Sequence, residues 1–181
     1  MNELGKFREG QKDIRREYTV DDAEIRSGAG DPLTLEGHPP VVNRGSEISD
    51  HRGTPIETVK PGAFKRTLAD GADVMLLVNH DGLPLARTKS GTLRLAEDKT
   101  GLHVIADLEP SDPDVQRIQP KMARGDLNEM SFAFRVREQK WNDDYTDREI
   151  LSVNMHKGDV SVVNYGANPA TSAALRGLAT M

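Results

Sequence analysis

From Leu33 onward the chain is built of short segments in which apolar and polar residues alternate every second position, so the pattern predicts strands more than helices. Residues 73–80 (DVMLLVNH) form an apolar run of strand length bounded by Gly71 and Gly82. GTLRL at 91–95 and GLHVIADL at 101–108 flank the polar residues 96–100 and carry the clearest hairpin signal. Residues 130–136 (MSFAFRV) alternate strictly. Met130, Phe132, Phe134 and Val136 point one way, and Ser131, Ala133 and Arg135 the other. After a polar, acidic turn at 141–147, residues 149–155 and 159–165 read as two further strands, the second stopped by Ala167-Asn168-Pro169. Val41-Val42 belongs to another apolar stretch, followed by a polar loop over 44–50, and residues 58–64 read as a strand end and turn leading into a short helix through Leu68.

The strongest helix signal covers 112–124: Ser111 or Asp112 can cap it, Pro113 suits its first turn, and Val115, Ile118 and Met122 share one face. Gly125 ends it, and Pro120 is expected to kink or shorten it. Residues 1–32 differ from the rest in being mostly polar with charges of both signs, ending in a linker-like SGAGDP string, and they read as a flexible arm. A folded unit is expected over 33–176, with a helical exit after 170 and a short tail at 177–181. The class is mainly β with helices (α+β): a closed or partly open antiparallel β-barrel with a few helices around it.

Composition narrows the function. At 181 residues the chain can bury a substantial core. Its 24 Lys+Arg against 29 Asp+Glu give a net charge of −5, which disfavours a phosphate-backbone binder, and 4% aromatic residues leave little for base stacking. With no cysteine, a disulfide scaffold, a Cys-ligated zinc site and a cysteine nucleophile are all excluded. No apolar run approaches the roughly 20 residues that span a bilayer, and the N-terminus lacks the apolar stretch of a secretory signal. Neither membrane nor nucleic acid is expected as a partner.

Five histidines are present, at 38, 51, 80, 103 and 156, without H-x-H or H-E-x-x-H spacing, so no metal and no cofactor is expected. His38 and His51 flank loops, and His103 sits inside a strand pattern. His80 closes the most apolar strand and precedes Asp81-Gly82, where a scaffold can hold an imidazole both rigidly and accessibly. Ser131 lies opposite the bulky stripe of its strand. On this segment alone it reads as a small residue filling a sheet, and G-x-S-x-G is absent. Asp159 opens the segment DVSVV. It is either a turn residue or, facing an imidazole, the group that fixes its tautomer.

Taken together, these residues resemble the prohead proteases of tailed phages, which are related to herpesvirus assemblin. The blocks are Pro61-Gly62-Ala63-Phe64, Asn79-His80-Asp81, the stretch ARTKSGTLRL at 86–95 with Glu97-Asp98 and Gly101-Leu102, then Arg124-Gly125-Asp126-Leu127, Met130-Ser131-Phe132-Ala133-Phe134, and Asp159-Val160-Ser161-Val162-Val163 through Pro169. They occur in the family's order over about 35–176. The resemblance implies an assemblin-like barrel and a serine endopeptidase acting inside the immature shell in the host cytoplasm. Its substrates are the scaffolding segment of the major capsid protein and internal scaffold. It also implies His80 as general base, Ser131 as nucleophile and Asp159 as third member, with His156 the other option for that place. Arg87 recurs in the family block, and a salt bridge holding the hairpin explains it equally well. Self-cleavage in the arm or tail and a homodimer stay open, as does a catalytically silent scaffold protein of the same fold. Intact His80 and Ser131 argue against the last.

Overall fold

The computed structural model describes residues 1–10, 15–21, 23–26, 33–39 and 42–165; the expected helical tail and the Ala167-Asn168-Pro169 stop lie outside them. In chain order the elements are α1 (Glu3–Glu9), β1 (Arg15–Asp21), β2 (Ala23–Arg26), β3 (Thr34–Gly37), β4 (Gly45–Glu47), β5 (Ile56–Val59), α2 (Lys65–Ala69), β6 (Met75–Val78), β7 (Asp81–Arg87), β8 (Leu93–Glu97), β9 (Leu102–Asp107), α3 (Pro113–Ala123), β10 (Glu129–Trp141) and β11 (Asp147–Val163). The protein is therefore mainly β with a few helices. Its strands form a seven-stranded sheet, in the order β1-β10-β11-β5-β4 with β6 and β7 branching from β11, and a four-stranded sheet in the order β2-β3-β9-β8. No ladder closes either sheet into a barrel among the described residues. Pairing is not purely antiparallel, because β5 and β6 both run parallel to β11. No helix among the described residues is long and apolar enough to cross a membrane.

The alternation seen in the sequence is what joins the two sheets. Leu102, Val104 and Ala106 of β9 are buried while the residues between them are half-buried, and Leu35 and Leu93 lie on the same core. Met130, Phe132, Phe134 and Val136 of β10 enter that core from the larger sheet, with the Phe132 and Phe134 rings stacked at 4.4 Å and Phe64 set edge-on against Phe132. Burying each such side chain contributes about 1.5–3 kcal/mol. The opposite face of β10, carrying Ser131 and Ala133, is thereby turned away from the aromatic stripe.

Helix α3 starts as its sequence requires. Asp112 accepts a hydrogen bond from the Asp114 amide at 2.8 Å, Pro113 occupies the first turn, and Val115, Ile118 and Met122 are buried. Pro120 does not end it; the helix runs on to Ala123. So close to the C-terminus, the missing proline N–H removes one hydrogen bond of the last turn and little else. The polar segment 1–32 supplies α1, β1 and β2. Asn2 caps α1, Arg8 pairs with Asp50 with its guanidinium 5.5 Å from the Trp141 ring, and β1 pairs along β10 from Arg15↔Arg135 to Asp21↔Glu129.

Two departures from the sequence pattern shape the site. The segments 149–155 and 159–165 are not separate strands: residues 149–163 belong to one strand, β11, which continues through a large bulge and ends at Val163. Between the pairs Ala133↔Asp159 and Arg135↔Asn154, Phe134 alone stands opposite Met155, His156, Lys157 and Gly158. Lys157 enters the left-handed region at φ 58, and Gly158 passes so close to β10 that a Cβ there would lie 2.6 Å from the Ala133 carbonyl oxygen. The second departure is at His80. The turn is not Asp81-Gly82 but Asn79-His80, both at positive φ (53 and 59), linking β6 to β7 with Val78 paired to Asp81. Left-handed conformation at both central residues matches the right-handed twist of a hairpin, and Asn is favoured there.

Candidate functional site

The turn that holds His80 is tied at three points to β11 and the residue that follows it. The Asn79 amide donates to the Val162 carbonyl at 2.8 Å, Asn79 Oδ1 accepts from the Asn164 amide at 3.0 Å, and the His80 amide donates to Ser161 Oγ at 3.1 Å. Across this junction His80 Nδ1 meets Asp159 Oδ2 at 2.5 Å, and Ser161 Oγ donates to the same oxygen at 2.7 Å. An ionised carboxylate only accepts, so it places the imidazole proton on Nδ1 and leaves Nε2 as the basic nitrogen.

Register brings Ser131 to the same place. Ser131 of β10 stands directly across from Ser161, and Ala133 across from Asp159. Ser131, Ser161 and Asp159 thus share one sheet face, with cross-strand Cβ atoms about 4.5–5.5 Å apart. Ser131 is 1% exposed, and among the described residues its hydroxyl has no hydrogen-bond partner. Native structures leave few buried hydroxyls unsatisfied, and one such group on the face that carries Asp159 and Ser161 calls for an explanation. Ser131 and His80 are not hydrogen-bonded to each other in this state; such bonds often tighten only once substrate is in place.

His156 sits on the bulge, exposed, with Nδ1 accepting from the Asp73 amide at 3.2 Å, and it lines the same groove as His80 and Asp159. Strict alternation would place residues 156 and 159 on opposite faces, but the bulge breaks that alternation. Arg87 of β7 holds Asp73 through Nε and Nη2 at 2.8 and 2.5 Å. It closes the approach to the β6–β7 hairpin and keeps the Asp73 carboxyl below its ordinary range. A groove of about 460 Å³ runs past His80 and Asp159, floored by Met75, Leu77, Ala133 and Arg135. A second cleft, about 490 Å³, is lined by Asn79 and Asp81 on either side of His80 in sequence, with Leu83, Arg117 and Leu127.

The remaining histidines do other work. His51 packs edge-on to Phe7 at 4.8 Å. His38 and His103 stack at 4.6 Å with planes 8° apart, His38 bonded to Asp98 and His103 to Glu36, each at 2.7 Å. One ligand atom from each of His38, Asp98 and His103 lies within 4.8 Å of the others. Parallel stacked rings cannot both aim in-plane lone pairs at one ion, so the cluster fits two imidazole–carboxylate pairs better than a metal centre. Two residues of the junction, Asn79 and Ser161, drew no role from the sequence. The available signal for Ser161 was its place two positions beyond Asp159, on the same face of a buried strand.

The mainly β scaffold thus puts a buried serine across from Ser161, which bonds both the His80 amide and the carboxylate that His80 meets. Comparison with known proteins makes this specific: residues 20–181 match the family described as Caudovirus prohead serine protease, and the chain belongs to that family of peptidases. Over 166 residues it is 28% identical to the prohead protease of Enterobacteria phage HK97, an alignment covering 90% of this chain and 68% of that protein. No solved structure matches the chain significantly.

Proposed function

We propose that this protein is a phage prohead maturation protease, a serine endopeptidase with Ser131 as nucleophile, His80 as general base and Asp159 as the group that orients His80. The observation that carries the reading is the His80 Nδ1–Asp159 Oδ2 contact on the sheet face that presents Ser131. In the first half-reaction Ser131 Oγ bonds to the scissile carbonyl carbon while its proton passes to His80 Nε2. Collapse of the tetrahedral species breaks the C–N bond, and the leaving amine takes that proton. Water then attacks the acyl-serine, giving a proton to Nε2, and Ser131 recovers it on departure. Asp159 stays ionised and stabilises the imidazolium that forms in both halves. The proximity of Asp159, and the engagement of His156 with Asp73, favour Asp159 as third member.

Ser131 is 1% exposed, so a peptide reaches it only in a conformation that uncovers this face. On the family relationship, the substrates are the scaffolding segment of the major capsid protein and internal scaffold, cut inside the assembling shell in the host cytoplasm. The sheets with their attached helices are read as the assemblin type of barrel. Co-expression with the cognate capsid protein tests this. Wild type is expected to shorten the capsid protein, whereas Ser131→Ala and His80→Ala leave it intact; Asp159→Asn costs about 10⁴-fold in rate by reversing the tautomer, and His156→Ala costs little. Equal shortening with Ser131→Ala would refute the assignment and point to a scaffold partner of the same fold.

A further inference from the structure

The hydroxyl of Ser161 closes a small hydrogen-bonded ring. The His80 amide donates to Ser161 Oγ at 3.1 Å, Ser161 Oγ donates to Asp159 Oδ2 at 2.7 Å, and that oxygen also faces His80 Nδ1 at 2.5 Å. Donor logic leaves one arrangement of protons. A backbone N–H can only donate, so Ser161 is its acceptor, and the single Ser161 proton goes to the carboxylate, which accepts from both sides. The ring therefore holds one residue at two points, its backbone amide and its imidazole. The amide bond helps fix the turn, because His80 follows Asn79 in the left-handed region, a conformation uncommon outside glycine though Asn and His adopt it more readily than most. With Ser161 donating to it, Asp159 Oδ2 acts as acceptor, an arrangement that keeps the histidine proton on Nδ1 and the lone pair on Nε2.

Ser161 is fully buried, flanked across the ladders by Ser131 on β10 and Leu77 on β6. An apolar residue would suit that interior position if filling space were its only task, as Val160 and Val162 do on the opposite face. We propose that Ser161 is a positioning residue of the peptidase reaction, which sets the orientation and tautomer of the His80–Asp159 pair without touching substrate. This inference rests on the reading of Ser131, His80 and Asp159 as the catalytic set.

Three measurements on the full chain separate the two claims: the rate at which a fluorophosphonate labels Ser131, followed by intact mass; the downfield proton resonance of the His80 Nδ1–H in the contact with Asp159; and the thermal midpoint. Ser161→Ala is expected to slow labelling by about 10–100-fold, the loss seen when a histidine that ligates a metal loses its outer hydrogen-bond partner, and to shift or broaden the Nδ1–H resonance. Ser161→Thr, which keeps the hydroxyl, is expected to restore both. Folded Ser161→Ala with wild-type labelling and an unchanged resonance would overturn the inference, whatever its thermal midpoint, because a merely structural serine changes the midpoint alone. If Ser161→Ala does not fold, Ser161→Cys, of the same shape but a weak donor, is read by the same two criteria. If Ser131→Ala is labelled equally, the peptidase reading fails instead; in that case, and where wild type is not labelled at all, the His80 resonance alone decides whether Ser161 positions the pair.

Discussion

Gly158→Ala tests whether the β11 bulge positions Asp159. A Cβ at 158 would lie 2.6 Å from the Ala133 carbonyl oxygen and 2.9 Å from that of Met155, both backbone atoms that no rotamer change can move aside. Overpacking of this kind costs about 1–3 kcal/mol, and two simultaneous backbone contacts argue for the upper part of that range. Replacing glycine also stiffens the unfolded chain, which returns about 0.4–1 kcal/mol, so the net loss is about 1–2 kcal/mol. For a chain of this size that lowers the thermal midpoint by about 2–8 °C. The functional effect should be larger than the stability effect. The strand relieves the clash by moving away from Ala133, and Asp159, the next residue and the cross-strand partner of Ala133, moves with it. A shift near 1 Å at a reacting group can cost about 10²-fold in rate. Gly91→Ala serves as control: no atom lies within 4 Å of its Cβ position, its φ of 75° makes alanine strained, and its turn contributes no residue to the site. It should lose comparable stability with capsid cleavage intact. Wild-type melting and wild-type cleavage in Gly158→Ala would refute the close-packed bulge.

Two further outcomes follow from charges in the fold. Arg148 and Glu57 form an ion pair at 2.8 Å, with side chains 0% and 1% exposed. Glu57→Leu removes the counter-charge and should cost about 3–5 kcal/mol in urea unfolding, whereas Glu57→Leu with Arg148→Met should cost far less; additive losses would contradict this account. Asp98, hydrogen-bonded by His38 and by the Gly101 and Thr100 amides, titrates at about 2 instead of 3.8. Its folded value is depressed, so the stabilisation is complete above the ordinary value and is lost as pH falls toward 2. His38→Leu should raise the Asp98 titration part of the way to 3.8 by carboxyl NMR, and an unmoved titration would show that the hairpin amides alone hold it down.

What could be read from the sequence was what depends on local alternation and capping. The faces of β10, the β8–β9 hairpin and the Asp112 cap of α3 each follow from side chains within a few positions of one another. The β1 strand, RREYTVD, escaped because it joins β10 through its backbone ladder, which composition does not report. The continuity of β11 was hidden for a related reason. Asn154, His156, Lys157 and Gly158 look like a break, yet the strand is paired with β10 on one side and with β5 and then β6 on the other, and those partners lie far off in sequence. The turn at Asn79-His80 lacks the glycine that usually announces a type I′ hairpin, so Asp81-Gly82 drew the assignment.

These hidden features are the ones that assemble the candidate site. Alternation alone can put Ser131 on a face, but it cannot bring His80, which sits beyond the end of β6, onto that same face. That takes the parallel pairing of β6 with β11, which sets Leu77 beside Ser161 and delivers the next turn over Asp159. The bulge then lets β11 keep Asp159 in register with Ala133 while His156 is displaced to the surface. Three sequence blocks, around His80, Ser131 and Asp159, thus meet through the turn and the bulge. A substitution at Gly158 or Asn79, neither of which donates a proton in the reaction, should therefore disturb catalysis more than most substitutions in the apolar core.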